Sequence, residues 1–208
     1  EGYRIGWIVP KGYVVVDVDN GDDDRSQEYL ERLLRKWEVK YSYNYTSRGI
    51  HILFKDPSES IKSDSHTKCP INIMIDTRAN NTGYIILPCN DPHREWGKWN
   101  DYVEDIPYFM YPCIKDTTPS FIGMVNGDGR NEALFKWRTK LEQTQKLSAE
   151  QVEKCIRIIN ENMFDEPMPN NELFKTVLRS RDKVDKKLLA ETKENAYNKL
   201  ADEIIGQY

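Results

Sequence analysis

The chain has 208 residues, of which 31% are charged and 38% hydrophobic, and its formal net charge is −4. That length suits one domain with a normal core or two small ones, and no stretch approaches the roughly 20 apolar residues that a membrane span needs. The charge deficit falls in residues 1–125 while residues 126–208 are balanced, so cations bound in the first part would offset it and a polyanionic partner is not excluded.

Arg4 to Pro10 reads as a short strand, and Lys11-Gly12 as the turn into a valine-rich strand, Tyr13 to Asn20. Along that strand Val14, Val16 and Val18 point one way and Val15, Asp17 and Asp19 the other. Asp24 or Ser26 can cap a helix whose apolar stripe is Tyr29, Leu30, Leu33, Leu34 and Trp37. Tyr41 to Tyr45 alternates like a strand. A polar turn, Thr46-Ser47-Arg48-Gly49, leads into another, with Ile50, Ile52 and Phe54 on one face and His51 and Leu53 on the other. Residues 55–70 read as polar loop. Ile71 to Asp76 reads as a strand that ends in a carboxylate, and Thr77 to Gly83 as a turn in which Asn81 and Gly83 can take positive φ. Tyr84 to Leu87 is the expected returning strand of a hairpin. Pro88 to Trp99 is loop; its two tryptophans are expected in the core, with base stacking as the alternative.

Residues 105–128, with Pro107, Pro112 and Pro119, look like a linker. From Asn131 onward the pattern is helical: Leu134, Trp137 and Leu141 mark one helix, and Ser148 to Gln151 is a capping box ahead of a Val152, Cys155, Ile156 and Ile159 stripe. Leu173, Phe174, Val177 and Leu178 mark a further helix, and residues 183–205 a charged one. Cys69, Cys89, Cys113 and Cys155 form no C-x-x-C pair, which points to a reducing cytoplasm. His66 with Cys69, or Cys89 with His93, misses the usual zinc spacings. The chain begins with Glu rather than Met and carries no secretory pattern, so residues are expected to precede it.

Three strands thus carry Asp17 and Asp19, His51, and Asp76 on the face opposite their aliphatic one. If they share a sheet, three carboxylates and a histidine meet on one surface. Asp17 and Asp19 stand about 6–7 Å apart by strand rise. Bare like charges there repel and resist desolvation, and an all-oxygen donor set suits a hard cation such as Mg²⁺ or Mn²⁺. The plainer alternative is a strand running into a solvated acidic turn, since Asp22, Asp23 and Asp24 follow. His51 comes just after a turn whose Ser47, Arg48 and backbone N–H groups can hold phosphate.

Gly12 to Asp19 resembles the first, Asp-hydrophobic-Asp motif of archaeo-eukaryotic primases, in particular the bifunctional primase-polymerase (prim-pol) domains of phages and plasmids. Thr46 to Phe54, with His51, resembles their second motif. Ile75-Asp76-Thr77-Arg78 followed by Gly83-Tyr84 and a strand ending at Pro88 resembles the third. The order and rough spacing agree over residues 4–102. Gly129 to Phe135 resembles the start of the small helical domain that follows prim-pol domains, and Asn170 to Leu173 with Arg179-Ser180 its end. The chain departs from the family at Arg48-Gly49, where Gly-Gly is common, and it carries no helicase P-loop.

The resemblance implies an α+β fold. A mixed or antiparallel catalytic sheet with flanking helices would occupy residues 1–104, a linker 105–128, and a small all-α domain 129–208. It implies template-directed nucleotidyl transfer, as DNA polymerase and primase, with two Mg²⁺ or Mn²⁺ ions held by Asp17, Asp19 and Asp76. Ser47, Arg48, Gly49, His51 and Arg78 would bind the nucleoside triphosphate. Single-stranded DNA template, primer and dNTP or NTP would be the partners, with a replicative helicase as a further one, in the cytoplasm of a bacterial or archaeal host of a phage or plasmid. The same carboxylates would serve a metal-dependent nuclease. A non-catalytic replication-initiation module that binds DNA or a helicase is another reading, and a plain α/β domain with structural Asp and His residues a third.

Overall fold

The structure is a computed structural model that describes residues 3–20 and 25–178. The chain starts with β1 (Gly6–Ile8), and the valine run forms β2 (Tyr13–Asp19). Helix α1 (Ser26–Lys36) buries Leu30, Leu33 and Leu34, as its 3.6-residue period requires. Its cap differs from expectation. Arg25 occupies the N-cap and makes no side-chain capping bond, Ser26 is already helical, and Asp24 lies outside the described residues. Trp37 sits at the C-cap, 40% exposed, with its ring edge-on to Phe109.

Strands β3 (Ser42–Tyr45) and β4 (Gly49–Lys55) form an antiparallel pair. Strand β5 (Asp64–Lys68) replaces part of the expected loop. It is an edge strand broken by a bulge between Asp64 and Thr67, so its sequence has no hydrophobic alternation to betray it. Strand β6 is Met74–Ala79, three residues later than expected. Ile71 and Ile73 are buried, but in a tight turn in which Asn72 takes φ 65° and Cys69 N–H donates to the Ile73 carbonyl at 2.9 Å. The turn after β6 uses Asn80 (φ 49°) and Asn81 (φ 62°) in the left-handed region, and Gly83 does not join them. Gly83 is needed for close approach instead: a Cβ there would lie 2.5 Å from Ser63 Oγ and 2.9 Å from Arg78 Cδ. Strand β7 (Tyr84–Ile86) does not return beside β6. It pairs with β1 in a separate two-stranded ribbon. Strand β8 (Glu95–Trp96) adds an edge to β3.

The main sheet has the order β5-β6-β2-β4-β3-β8, and every pair is antiparallel. The fold is α+β, as expected. Val14, Val16 and Val18 face the large core with Ile50, Ile52, Phe54 and Ile75. On the opposite face Val15 joins Val9 and Ile85 in a small cluster beneath the ribbon.

Helices α2 (Arg130–Thr144) and α3 (Ala149–Asn162) contribute Leu134, Trp137 and Ile156 to the same large core as the sheet. Helix α3 begins with the expected Ser148–Gln151 capping box. Helix α4 (Asn170–Leu173) continues as a π-helical turn, Phe174–Leu178. The charged helix expected over 183–205, and Arg179-Ser180, lie outside the described residues.

The 105–128 segment runs mostly as coil and is anchored at intervals, with Ile106, Phe109, Met110, Phe121 and Ile122 buried in the large core. Polar bonds tie it down on both sides. Asn72 Nδ2 donates to the Pro119 carbonyl at 2.7 Å, and Lys140 Nζ donates to Asp116 Oδ2 at 2.6 Å. Burial pushes the Asp116 carboxyl up, but the Lys140 ammonium and donors from Thr118 outweigh it and hold the pKa at about 2.

The Asp116 contacts have a pH signature. The folded pKa lies below the unfolded value of 3.8, so this stabilisation is complete above the unfolded value and fades as pH falls toward about 2. It amounts to about 2 kcal/mol at neutral pH. Urea unfolding of Asp116→Asn is expected to show that deficit at neutral pH and a shrinking one between about pH 4 and about pH 2. A deficit independent of pH would remove the ion pair as its cause.

Candidate active site

Antiparallel register decides which side chains share the open face, because directly opposed residues point the same way. Asp76 on β6 opposes Asp17 on β2, Asp17 opposes His51 on β4, His51 opposes Asn44 on β3, and Asn44 opposes Trp96 on β8. One row of side chains therefore crosses five strands. Asp19, two residues beyond Asp17, opposes Gly49, and Arg78, two beyond Asp76, opposes Val15. The carboxylates and the histidine expected to converge do share this face.

Each carboxylate has its own partner. His51 Nε2 lies 3.4 Å from Asp17 Oδ2, Arg48 Nη2 lies 2.9 Å from Asp19 Oδ2, and Arg78 Nη2 lies 3.2 Å from Asp76 Oδ2. The His66 N–H, aimed by the β5 bulge, donates to Asp76 Oδ1 at 2.8 Å. The buried His51 ring is held from its other side by Asn44 Nδ2, 3.4 Å from Nδ1. Burial, and then the charge of Asp17, raise the Asp19 carboxyl above its ordinary 3.8, while Arg48 opposes them.

Because the carboxylates turn toward these partners, no three His, Cys, Asp or Glu side chains among the described residues make a ready-formed metal cage. The donor set nevertheless fits a hard divalent cation. Asp17 Oδ1 is buried and has no hydrogen-bond partner, an arrangement that costs desolvation energy unless a cation or donor meets it. Two further carboxylates lie on the same face, one directly opposed and one two residues along.

Two clefts of about 710 Å³ each meet at Asp17. One runs past His51, Arg78, Arg94, Ser65 and Lys115. The other runs past Asp19, Asp76, Arg48, His66 and Lys68. Asn44, His66, Lys68, Arg94 and Lys115 had no sequence signal of their own. Asn44, His66 and Lys68 reach the site through strand pairing and a bulge, and Arg94 and Lys115 from coil beside it, none of which leaves a local motif.

The Thr46–Gly49 turn is braced from within. Thr46 Oγ1 accepts the N–H groups of Arg48 (3.2 Å) and Gly49 (2.9 Å), so the Gly49 N–H is already engaged within the turn. Ser47 and Arg48 are exposed above it. The constraint at Gly49 is steric, since a Cβ there would lie 1.9 Å from the Val18 carbonyl oxygen and 2.9 Å from Asp19 Cα.

A family model described as Prim-Pol, bifunctional DNA primase/polymerase, N-terminal, matches residues 2–108. No curated protein matches the chain.

Gly49→Ala is expected to push β4 away from β2 where Asp19 sits and to destabilise the fold by about 1–3 kcal/mol, read by denaturant unfolding. A variant as stable as the parent would show that the turn relaxes without strain.

Proposed function

The chain belongs to this family of bifunctional DNA primase/polymerases, and on that premise we propose that the face bearing Asp17, Asp19 and Asp76 carries out template-directed nucleotidyl transfer from a nucleoside triphosphate to a primer 3′-hydroxyl. The observation that supports this reading is the cross-strand row, with the unpartnered Asp17 oxygen where the two clefts meet.

Asp17, Asp19 and Asp76 are the residues to hold Mg²⁺ or Mn²⁺, which when bound supplies charge neutralisation to the triphosphate and lowers the pKa of the attacking hydroxyl. The chain's own groups do the positioning, which dominates phosphoryl transfer because little covalent work falls to the protein. The cleft lined by His51, Arg78, Arg94 and Lys115 presents cationic or donor groups to a triphosphate. The phosphate contact of His51 falls to Nε2, which faces Asp17 Oδ2 at 3.4 Å and would have to exchange that contact for the phosphate, while Asn44 beside Nδ1 holds the ring. Arg48 and Ser47, exposed on the turn, reach the second cleft or the incoming nucleotide. That second cleft, with Asp19 and Asp76 on its wall, is where the primer end would lie. Gly49 contributes through the closeness of β4 to β2. We assign the chemistry to residues 1–104 and propose that the helical residues from 129 on guide the template or dock a helicase.

Extension of a labelled primer on a longer template, with dNTPs and Mg²⁺ or Mn²⁺, tests the reading. Lengthening by the parent is expected, and its loss in a folded Asp17→Asn/Asp19→Asn variant. Primer shortening without added nucleotide would instead select a metal-dependent nuclease, and normal extension by the double variant would remove these carboxylates from the chemistry. His51→Ala is expected to raise the KM for nucleotide by about tenfold or more, the scale of one hydrogen bond to a charged group. An unchanged KM would leave His51 a structural residue.

A further inference from the structure

Tryptophan is a large apolar side chain that is highly buried on average. Trp96 and Trp99 are 49% and 42% exposed, although the segment that carries them is held firmly. Tyr43 N–H donates to the Lys98 carbonyl at 2.9 Å, and Asn100 N–H donates to Ser42 Oγ at 2.9 Å. Gly97 lies so close to β3 that a Cβ would sit 2.3 Å from the Tyr43 ring. Residues 96–100 thus extend the edge of the main sheet as a rigid strip. The exposure of the two indoles belongs to that geometry.

The rings are arranged in a chain. Trp96 and Trp99 meet edge to face with centroids 5.4 Å apart, and Trp99 meets Trp7 of the ribbon in the same manner at 6.1 Å. Edge-to-face packing leaves indole faces available to a further flat ring. Charged residues are interleaved with the aromatics: Lys98 stands between the two indoles, Arg94, paired with Asp91, precedes Trp96, Glu95 and Asp101 lie in the same stretch, and Lys55 Nζ lies 4.1 Å from the Tyr102 ring centroid. Trp96 also ends the row that contains Asp17, on the same face and three strands away, which is about 14 Å at the usual interstrand spacing.

We propose that Trp96, Lys98 and Trp99 form a stacking platform for single-stranded DNA that leads the template to the Asp17 face. This rests on the polymerase reading for its direction, but not for its existence. Aromatic rings stack on every base because each base has a π-face, so such a platform accepts template of any sequence, and the interleaved cations meet the backbone phosphates. A hydrophobic protein partner would not call for a lysine between the two exposed indoles.

The test is fluorescence anisotropy of fluorescein-labelled oligo(dT), about 20 nucleotides long, titrated with the full chain without nucleotide or divalent metal. Trp96→Ala/Trp99→Ala is expected to weaken binding by about tenfold or more, and Trp96→Phe/Trp99→Phe to restore most of it. Lys98→Glu is expected to weaken binding and lower the salt slope by about one. Asp17→Asn/Asp19→Asn is expected to bind at least as well as the parent. If the alanine pair does not fold, Lys98→Glu and the phenylalanine pair carry the test. The platform is overturned if the parent does not bind oligo(dT), if the folded alanine pair binds as the parent does, if the phenylalanine pair binds at least tenfold more weakly than the parent, or if Lys98→Glu leaves affinity and slope unchanged. Normal primer extension by the aspartate pair, together with weakened binding by the alanine pair, would sink the polymerase assignment and leave the platform standing.

Discussion

The register of β2 against its two neighbours is the constraint on which the site depends. Side chains alternate with a period of two, so a slip of one residue would carry Asp17 and Asp19 into the core and turn Val14, Val16 and Val18 out to water. Burying two carboxylates without partners is far more costly than losing a few backbone bonds. The apolar face therefore specifies the register, and the register places Asp76, Asp17, His51 and Asn44 side by side across four strands. The energy that folds the sheet and the geometry that makes the site are the same set of valines and isoleucines.

The partners of the carboxylates are unequal, and the inequality suits the proposed role, in which the site must open to a nucleotide. Arg48 is 76% exposed at its side chain, and its bond to Asp19 is of the surface kind, worth about 0–1 kcal/mol. His51 is buried and braced by Asn44. The turn that carries Arg48 is itself firm, because Thr46 Oγ1 accepts two of its N–H groups and Asn20 N–H reaches the Arg48 carbonyl at 2.6 Å. A long mobile side chain on a rigid turn can leave Asp19 without disturbing the backbone that positions it.

The residues that carried their own local pattern were legible in the sequence. Asp17, Asp19, His51 and Asp76 were readable because each stands at the polar end of an aliphatic alternation, and the capping box of α3 because its residues are three apart. What was illegible depends on pairing between distant segments. The run Asp64–Lys68 became a strand only because β6 offers it an edge, and Tyr84–Ile86 chose β1 over β6, a choice invisible in either segment. Ile71 and Ile73 misled by period: they are buried as an alternating strand would bury them, but in a turn that Asn72 permits by taking positive φ. The core placement expected for Trp96 and Trp99 failed because the side chains were judged by size, whereas Gly97 and the Tyr43 ring decide where that strip lies.

Among the described residues the two faces of the sheet are covered unequally. Helices α1, α2 and α3 contribute to the large core on one face, together with the packed 105–128 segment. On the other face the β1–β7 ribbon packs over Val15 and Leu53. An antiparallel sheet that is buried on one side usually presents solubilising side chains on the other. Here the row runs from partly exposed carboxylates past the buried His51 and Asn44 to the exposed Trp96, so under the proposed reading metal-binding and phosphate-binding groups give way to a stacking surface within five strands. A polymer that presents phosphates and flat rings along one line matches that gradient, and a small globular ligand would use only part of it.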